Sequence, residues 1–306
     1  MPSRRRTRVV AALAAAFFAA AHEEGIAQDT PGSAVSATAS LTGYAQFNAN
    51  LDSGGRINWA GGLAAATVTR ELTPQISAGL VARYDYQSWN FNAPAAFGGV
   101  APWNNLNAPS VGVRVGYAYA PDLFLVVTPT VEWAYESGAN ESDALTYGAV
   151  ASVAKALSPD LLLGLGVSAF RRIDKTQALP FFIVDWKIND KWRVANPFEA
   201  GPTGGAGVEV IYSPDERWEI AEGLAYRSYR FRLSKTGPTP DGVGENSFIP
   251  LFLRVSRKLT KELRLDVYGA ITTAGKLTVD NASGGGRYSD NYKIGPALGA
   301  TLVYRF

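Results

Sequence analysis

Residues 291–306 read NYKIGPALGATLVYRF. Tyr292, Ile294, Pro296, Leu298, Ala300, Leu302, Tyr304 and Phe306 share one parity, and Asn291, Lys293, Gly295, Ala297, Gly299, Thr301, Val303 and Arg305 share the other. Side chains alternate between the two faces of a strand, so these sets meet different surroundings. The first set is apolar with aromatics near both ends; the second is small, polar or charged. A tilted strand crosses a bilayer in about 9–11 residues, and this stretch is long enough to do so. It predicts a strand with one face in lipid and the other on a polar barrel lumen, which places Lys293 and Arg305 on the lumen side.

The alternation recurs upstream. Val111, Val113, Val115, Tyr117 and Tyr119 oppose Ser110, Gly112, Arg114 and Gly116, while Leu123, Leu125, Val127, Val131, Trp133 and Tyr135 oppose Thr128, Thr130, Glu132 and Glu136. Leu161, Leu163, Leu165 and Val167 oppose Gly164, Gly166, Ser168 and Arg172. The connectors are of two kinds. One is short and rich in Pro, Asp and Asn, as in Ala120-Pro121-Asp122, Ser158-Pro159-Asp160 and Ser213-Pro214-Asp215, where Pro presets the turn dihedral and Asp or Asn closes it. The other is usually longer, at 51–55, 92–107, 137–142, 173–177, 199–204, 235–245 and 281–290. Short turns on one side and longer loops on the other are the asymmetry of an outer-membrane barrel, with the turns in the periplasm.

The segments between connectors define an all-β, antiparallel up-and-down transmembrane barrel of about fourteen strands. The expected spans are 37–50, 56–70, 75–91, 108–119, 123–136, 143–156, 161–172, 178–188, 192–198, 205–212, 217–234, 246–258, 263–280 and 291–306. Twelve strands result if the short ninth and tenth form one excursion. Residues 218–233 change parity, which predicts a bulge near Gly223. Trp89, Trp133 and Tyr135 are expected in an outer aromatic girdle, and Tyr119, Phe124, Trp186, Trp192, Tyr304 and Phe306 in a periplasmic one. A soluble sandwich would also alternate, but it has no use for exterior aromatics at both strand ends.

Targeting is consistent with this class. Arg4, Arg5, Arg6 and Arg8 precede an apolar run over 9–21 and the small residues around Gly25 and Ala27, as in a secretory signal peptide. Residues 1–27 are therefore expected to be removed, with Ala21 as the alternative cleavage point, residues 28–36 to form a periplasmic lead-in and residues 37–306 the barrel. Charged residues are 18% of the chain, below the usual quarter for soluble domains. No stretch is long and apolar enough for a transmembrane helix.

The ending at Phe306 resembles the terminal signal of bacterial outer-membrane barrels, which implies recognition by the assembly machinery. The series through Ala178-Leu179-Pro180, Asn189-Asp190-Lys191-Trp192-Arg193 and Asn196-Pro197 resembles a porin-like family of Gram-negative outer-membrane proteins known mainly as a domain of unknown function. That resemblance implies a barrel in the outer membrane and carries no catalytic residue.

Inward parity places Arg83 and Asp85 on the third strand, Arg114 on the fourth, Glu132 and Glu136 on the fifth and Arg172 on the seventh. It adds Asp185, Lys187 and Arg193, then Arg230, Arg232, Arg254, Arg264 and Asp266. Buried charges are costly unless paired, so these residues are expected either to pair across strands or to line an aqueous conduit. Fourteen strands give a backbone diameter of roughly 28 Å, between barrels filled by side chains and wide porins. The loop at 92–107, with Phe97 and Trp103, is a candidate lid or an exposed loop. The single His, His22, lies in or beside the leader, and Cys is absent, so a Ser-His dyad, a thiol nucleophile and a His metal site are not available to the mature chain. The expectation is a passive channel for small neutral or anionic solutes, with a closed barrel in a structural or surface-binding role as the alternative and a lipid-modifying enzyme behind both. Lipid and lipopolysaccharide are the expected surroundings, with no cofactor and no nucleic acid.

Overall fold

The structure, a computed structural model, describes residues 35–197, 206–282 and 288–306. The expected signal peptide, most of the lead-in and the Gly284-Gly285-Gly286 run lie outside the described residues. Fourteen strands form one closed sheet. They are β1 (Val35–Asn50), β2 (Arg56–Thr73), β3 (Ile76–Asn92), β4 (Asn105–Ala120), β5 (Leu123–Trp133, continued by Tyr135–Glu136), β6 (Leu145–Ser158) and β7 (Leu161–Arg172). There follow β8 (Lys175–Lys187), β9 (Trp192–Ala195), β10 (Gly207–Tyr212), β11 (Trp218–Ala225, continued by Arg227–Arg232), β12 (Val243–Lys258), β13 (Leu263–Asp280) and β14 (Tyr288–Tyr292, continued by Gly295–Arg305). Each strand pairs antiparallel with its sequence neighbours, and β14 returns to β1 from Thr38 opposite Arg305 to Gln46 opposite Ala297. Closure leaves no terminal edge, which hydrocarbon demands of a spanning sheet.

The exterior carries the predicted apolar face. Leu41, Leu80, Val111, Leu165, Phe182, Leu253 and Leu298 are all exposed, and Tyr119, Trp186, Trp192, Tyr304 and Phe306 ring the turn side. On the loop side the expectation fails for Trp89, which is 5% exposed and inside the barrel. Its parity is that of Arg83, Asp85 and Gln87, so alternation already placed it inward. Tyr86, Tyr147 and Tyr288 supply the exposed loop-side aromatics instead. One carboxylate breaks the apolar exterior: Glu222 is exposed between Val210 and Leu253, its partners on β10 and β12.

The parity change in β11 comes from a departure of the strand. Its turn-side half pairs with β10 and β12, and the chain breaks at Tyr226 rather than bulging at Gly223. The loop-side half keeps β12 but leaves β10 and crosses the lumen, where Arg232 pairs with Tyr135 of β5 and its amide donates to the Ala134 carbonyl at 2.9 Å. This contact closes a smaller loop-side ring of nine strands, β1 to β5 and β11 to β14. Both faces of the half-strand are therefore interior, and period-two reading fails there because neither face meets lipid.

The same departure separates β8 from the loop-side half of β11. β9 meets β8 only through Asp185 to Lys187, and β10 stops at Gly207. Above that level no described strand lies between β8 and the loop-side half of β11. Asn196 stitches the fork: its side chain accepts from the Val184 amide at 2.9 Å and donates to the Phe182 and Gly207 carbonyls at 2.9 and 2.8 Å.

A carboxylate in the lipid belt opposes insertion and an apolar side chain favours it. Glu222→Leu is expected to stabilise the barrel by up to about 2 kcal/mol, whereas Leu298→Arg is expected to destabilise it by about 2–4 kcal/mol. Urea unfolding in lipid vesicles, followed by tryptophan emission, measures both.

Candidate functional site: a lumen sealed at one end

On the loop side the lumen is filled. Tyr44 and Trp59 from β1 and β2, Trp89 from β3 and Trp103 from the following loop meet Phe231 of β11 and Phe248 of β12. Trp59 and Trp89 stack with ring centroids 5.2 Å apart. Trp59 contacts Phe248 edge-on at 5.7 Å, and Trp103 does the same with Phe231 at 5.1 Å. These pairs span the barrel, because β2 and β12 are separated along the sheet by β1, β14 and β13. Trp103 is fully buried, so the loop at 92–107 folds inward as a plug. Gly61 makes room for Tyr44: a Cβ there would lie 2.7 Å from the Tyr44 hydroxyl, which donates to Asp85 at 2.5 Å.

Below the plug is a cavity of about 940 Å³ that extends towards the turn-side rim at Ser36, Thr69 and Ser77. Arg83, Asp85, Arg114, Glu132, Arg172 and Arg230 line it, and Arg227 joins them. Leu63, Val81, Leu106, Phe170, Phe181 and Phe231 add apolar wall.

The remaining predicted lumen residues are distributed elsewhere. Arg254 pairs with Glu209 at 2.6 Å and Glu219 at 3.2 Å, and Arg264 with Asp266 at 3.0 Å, in a compact cluster on the inner faces of β10 to β13. Its members pair with one another and do not line the cavity. Glu136 is buried above the cavity and accepts the backbone amides of Asn104 and Ser234 at 3.0 and 2.9 Å, which anchors the plug loop. Arg232 clamps two loops, donating to the Asp143 and Asp241 carbonyls at 3.0 and 2.7 Å. Asp185 pairs with Arg193 at the turn-side end, half-exposed, and Lys187 pairs with Asp190 on the turn itself at 2.8 Å. Arg305 is half-buried on the inner face near the turn side. Lys293 is exposed: the strand breaks between Tyr292 and Gly295, so Tyr292 turns inward and Lys293 outward, against the prediction from unbroken parity.

Arg230 holds the crossing half-strand in place. It meets Asp174 in the β7–β8 turn at 2.7 Å, Glu245 of β12 at 2.7 Å and Asp280 of β13 at 3.1 Å, and its side chain is 1% exposed. Lys175 joins Glu245 at 2.6 Å, and Arg172 donates to the Ser228 hydroxyl and carbonyl at 3.0 and 3.2 Å. Partial burial pushes the Asp174 carboxyl up, but the Arg230 guanidinium overrides this and holds it below the usual carboxylate range. Sequence reasoning missed Asp174, Glu245 and Asp280 as partners of Arg230. Their partner lies on a strand that leaves the wall, and no local pattern shows a departure of that kind.

No family model and no curated relative matches this chain, so the resemblance to a family of unknown function has no support beyond its motifs. Among solved structures the chain is similar to an outer-membrane channel from Pseudomonas putida F1, at 12% identity over 93% of this chain and 100% of that one, with a TM-score of 0.48. It is also similar to a Pseudomonas aeruginosa FadL homologue, at 10% identity over 88% of this chain and 90% of that one with a TM-score of 0.44. A third is the KdgM porin in complex with oligogalacturonate, at 10% identity over 88% of this chain and 99% of that one with a TM-score of 0.38. None lends a residue role to this chain. Its own geometry defines the class: a transmembrane β-barrel with an aromatic seal on the loop side and, below it, a charged cavity that reaches towards the turn side.

Removing a fully desolvated guanidinium leaves three carboxylates facing each other. Arg230→Ala is expected to cost about 3–5 kcal/mol in urea unfolding. Asp174→Asn is expected to cost less, because its side chain is 38% exposed. A carboxylate with a depressed folded pKa stabilises above its unfolded value, near 4, and loses that contribution as pH falls through the lower folded value. The stability gap between wild type and Asp174→Asn should therefore narrow below about pH 4, which parallel titrations at pH 3 and pH 7 would show.

Proposed function

We propose that this protein is an outer-membrane barrel that passes small neutral or anionic solutes passively through its lumen. The turns would face the periplasm, the leader would be removed on export, and the last strand with Phe306 would engage the assembly machinery. The observation that supports passage is the charged cavity of about 940 Å³ reaching towards the turn side. A closed structural barrel has no need to keep several charged groups beside an unfilled space, because desolvating them is costly. The loop-side seal would then be the constriction, made of side chains and one inward loop rather than of the barrel wall.

The seal itself favours a second reading, a barrel that stays shut and acts through its outer surface. A core of stacked and edge-on aromatics is a stable structure, and each such ring buries about 150–250 Å². The two readings differ in what happens when the plug is removed.

In planar bilayers the wild type is expected to show small discrete current steps. Trp103→Ala, which empties the fully buried plug position, is expected to enlarge them. Absence of steps from both proteins, with folding verified by heat-dependent gel mobility, would exclude the channel and leave the closed barrel.

A further inference from the structure

The charges lining the cavity are not equivalent. Asp85 faces Arg83 and Arg227, and Glu132 and Glu245 act on Arg172. Arg114 differs from these: among the described residues it makes no hydrogen bond or ion pair, and it is exposed to the lumen. It is on the inward face of β4, flanked by Gly112 and Gly116, with Gly79 directly opposite on β3. The register of β4 with β5, fixed by Gly112 opposite Thr130 and Val115 opposite Val127, aligns Thr128 on its other side. A guanidinium therefore stands in the lumen among glycines and hydroxyls, with no side chain close enough to pair with it.

An arginine that served only to hold strands in register would be placed beside a carboxylate, as Arg254 and Arg264 are on the opposite wall. A charge left unpaired and accessible in the lumen can take a mobile anion as its partner through charge-assisted hydrogen bonds. The planar fork of a guanidinium matches a carboxylate with two parallel hydrogen bonds. One positive charge balances a monoanion, whereas a doubly charged phosphate would leave excess negative charge at the site. Further into the cavity Val81, Leu63, Leu106 and Phe231 supply apolar wall between charged groups that face one another. The volume of about 940 Å³ lies within the range of sites for small organic molecules.

We propose that Arg114 is the anion-binding group of the lumen and that the solute it takes is a small organic monocarboxylate with an apolar body. Arg114 takes the carboxylate near the turn-side half of the cavity, and the body lies towards the aromatic seal. This deepens the channel reading by naming a solute class, yet it concerns binding from the turn side and does not require that the seal open.

The test uses the full barrel in non-ionic detergent, with benzoate as the probe and benzamide as its neutral counterpart, in isothermal titration calorimetry. Wild type is expected to bind benzoate at least about tenfold more tightly than benzamide. Arg114→Gln is expected to lose about that factor for benzoate and to leave benzamide unchanged, while Arg114→Lys keeps part of the preference because it keeps the charge. Unchanged benzoate affinity in Arg114→Gln, or equal affinity of the wild type for the two probes, would overturn the assignment. The bilayer measurement is independent. Benzoate binding without current steps removes passage and keeps the site, whereas current steps without benzoate preference remove the site and keep passage.

Discussion

The loop-side half of this barrel depends on a single buried guanidinium. Arg230 draws a carboxylate from a hairpin turn and one from each of two adjacent strands onto the half-strand 227–232, and so holds that half-strand away from the wall. A lone arginine in such surroundings would be prohibitively desolvated; three acidic partners offset the cost, and the geometry is thereby over-determined. Once β11 crosses the lumen, its odd residues Tyr229 and Phe231 face the aromatic cluster and its even residues Ser228 and Arg230 face the β7–β8 hairpin. The seal and the smaller ring both follow from that crossing.

The two ends consequently obey different physics. On the loop side nine strands enclose a volume small enough for aromatic rings to fill, and stacking replaces water. On the turn side all fourteen strands are spaced around a wider circumference that side chains from one wall cannot bridge. There the charges separate: the β10–β13 wall neutralises itself in the Arg254 cluster, while the β2–β8 wall keeps arginines along the open space. This division leaves the turn-side lumen open and fills the loop-side one with packed rings.

Much of the fold was legible in the chain. The exposed face of β14 from Pro296 to Phe306 and the lumen parity of Arg83, Asp85, Arg114, Glu132 and Arg172 were readable because lipid and water impose opposite demands on adjacent residues. The misreadings occur where that rule stops applying. Trp89 was assigned to a girdle by residue type although its parity pointed inward, and Lys293 was displaced by a strand break that the alternation of apolar residues conceals. Asp174, Glu245 and Asp280 are far apart in sequence and meet only around Arg230.

The sequence by itself determined the class of structure and which face of most strands meets hydrocarbon, because a spanning sheet must alternate and must close. Only the tertiary structure decided that the lumen is sealed on one side, which of its charges are spent on one another and that Arg114 is left over. Pairing across a barrel depends on where distant strands bring their side chains, and a period-two pattern is blind to any interaction longer than its own strand.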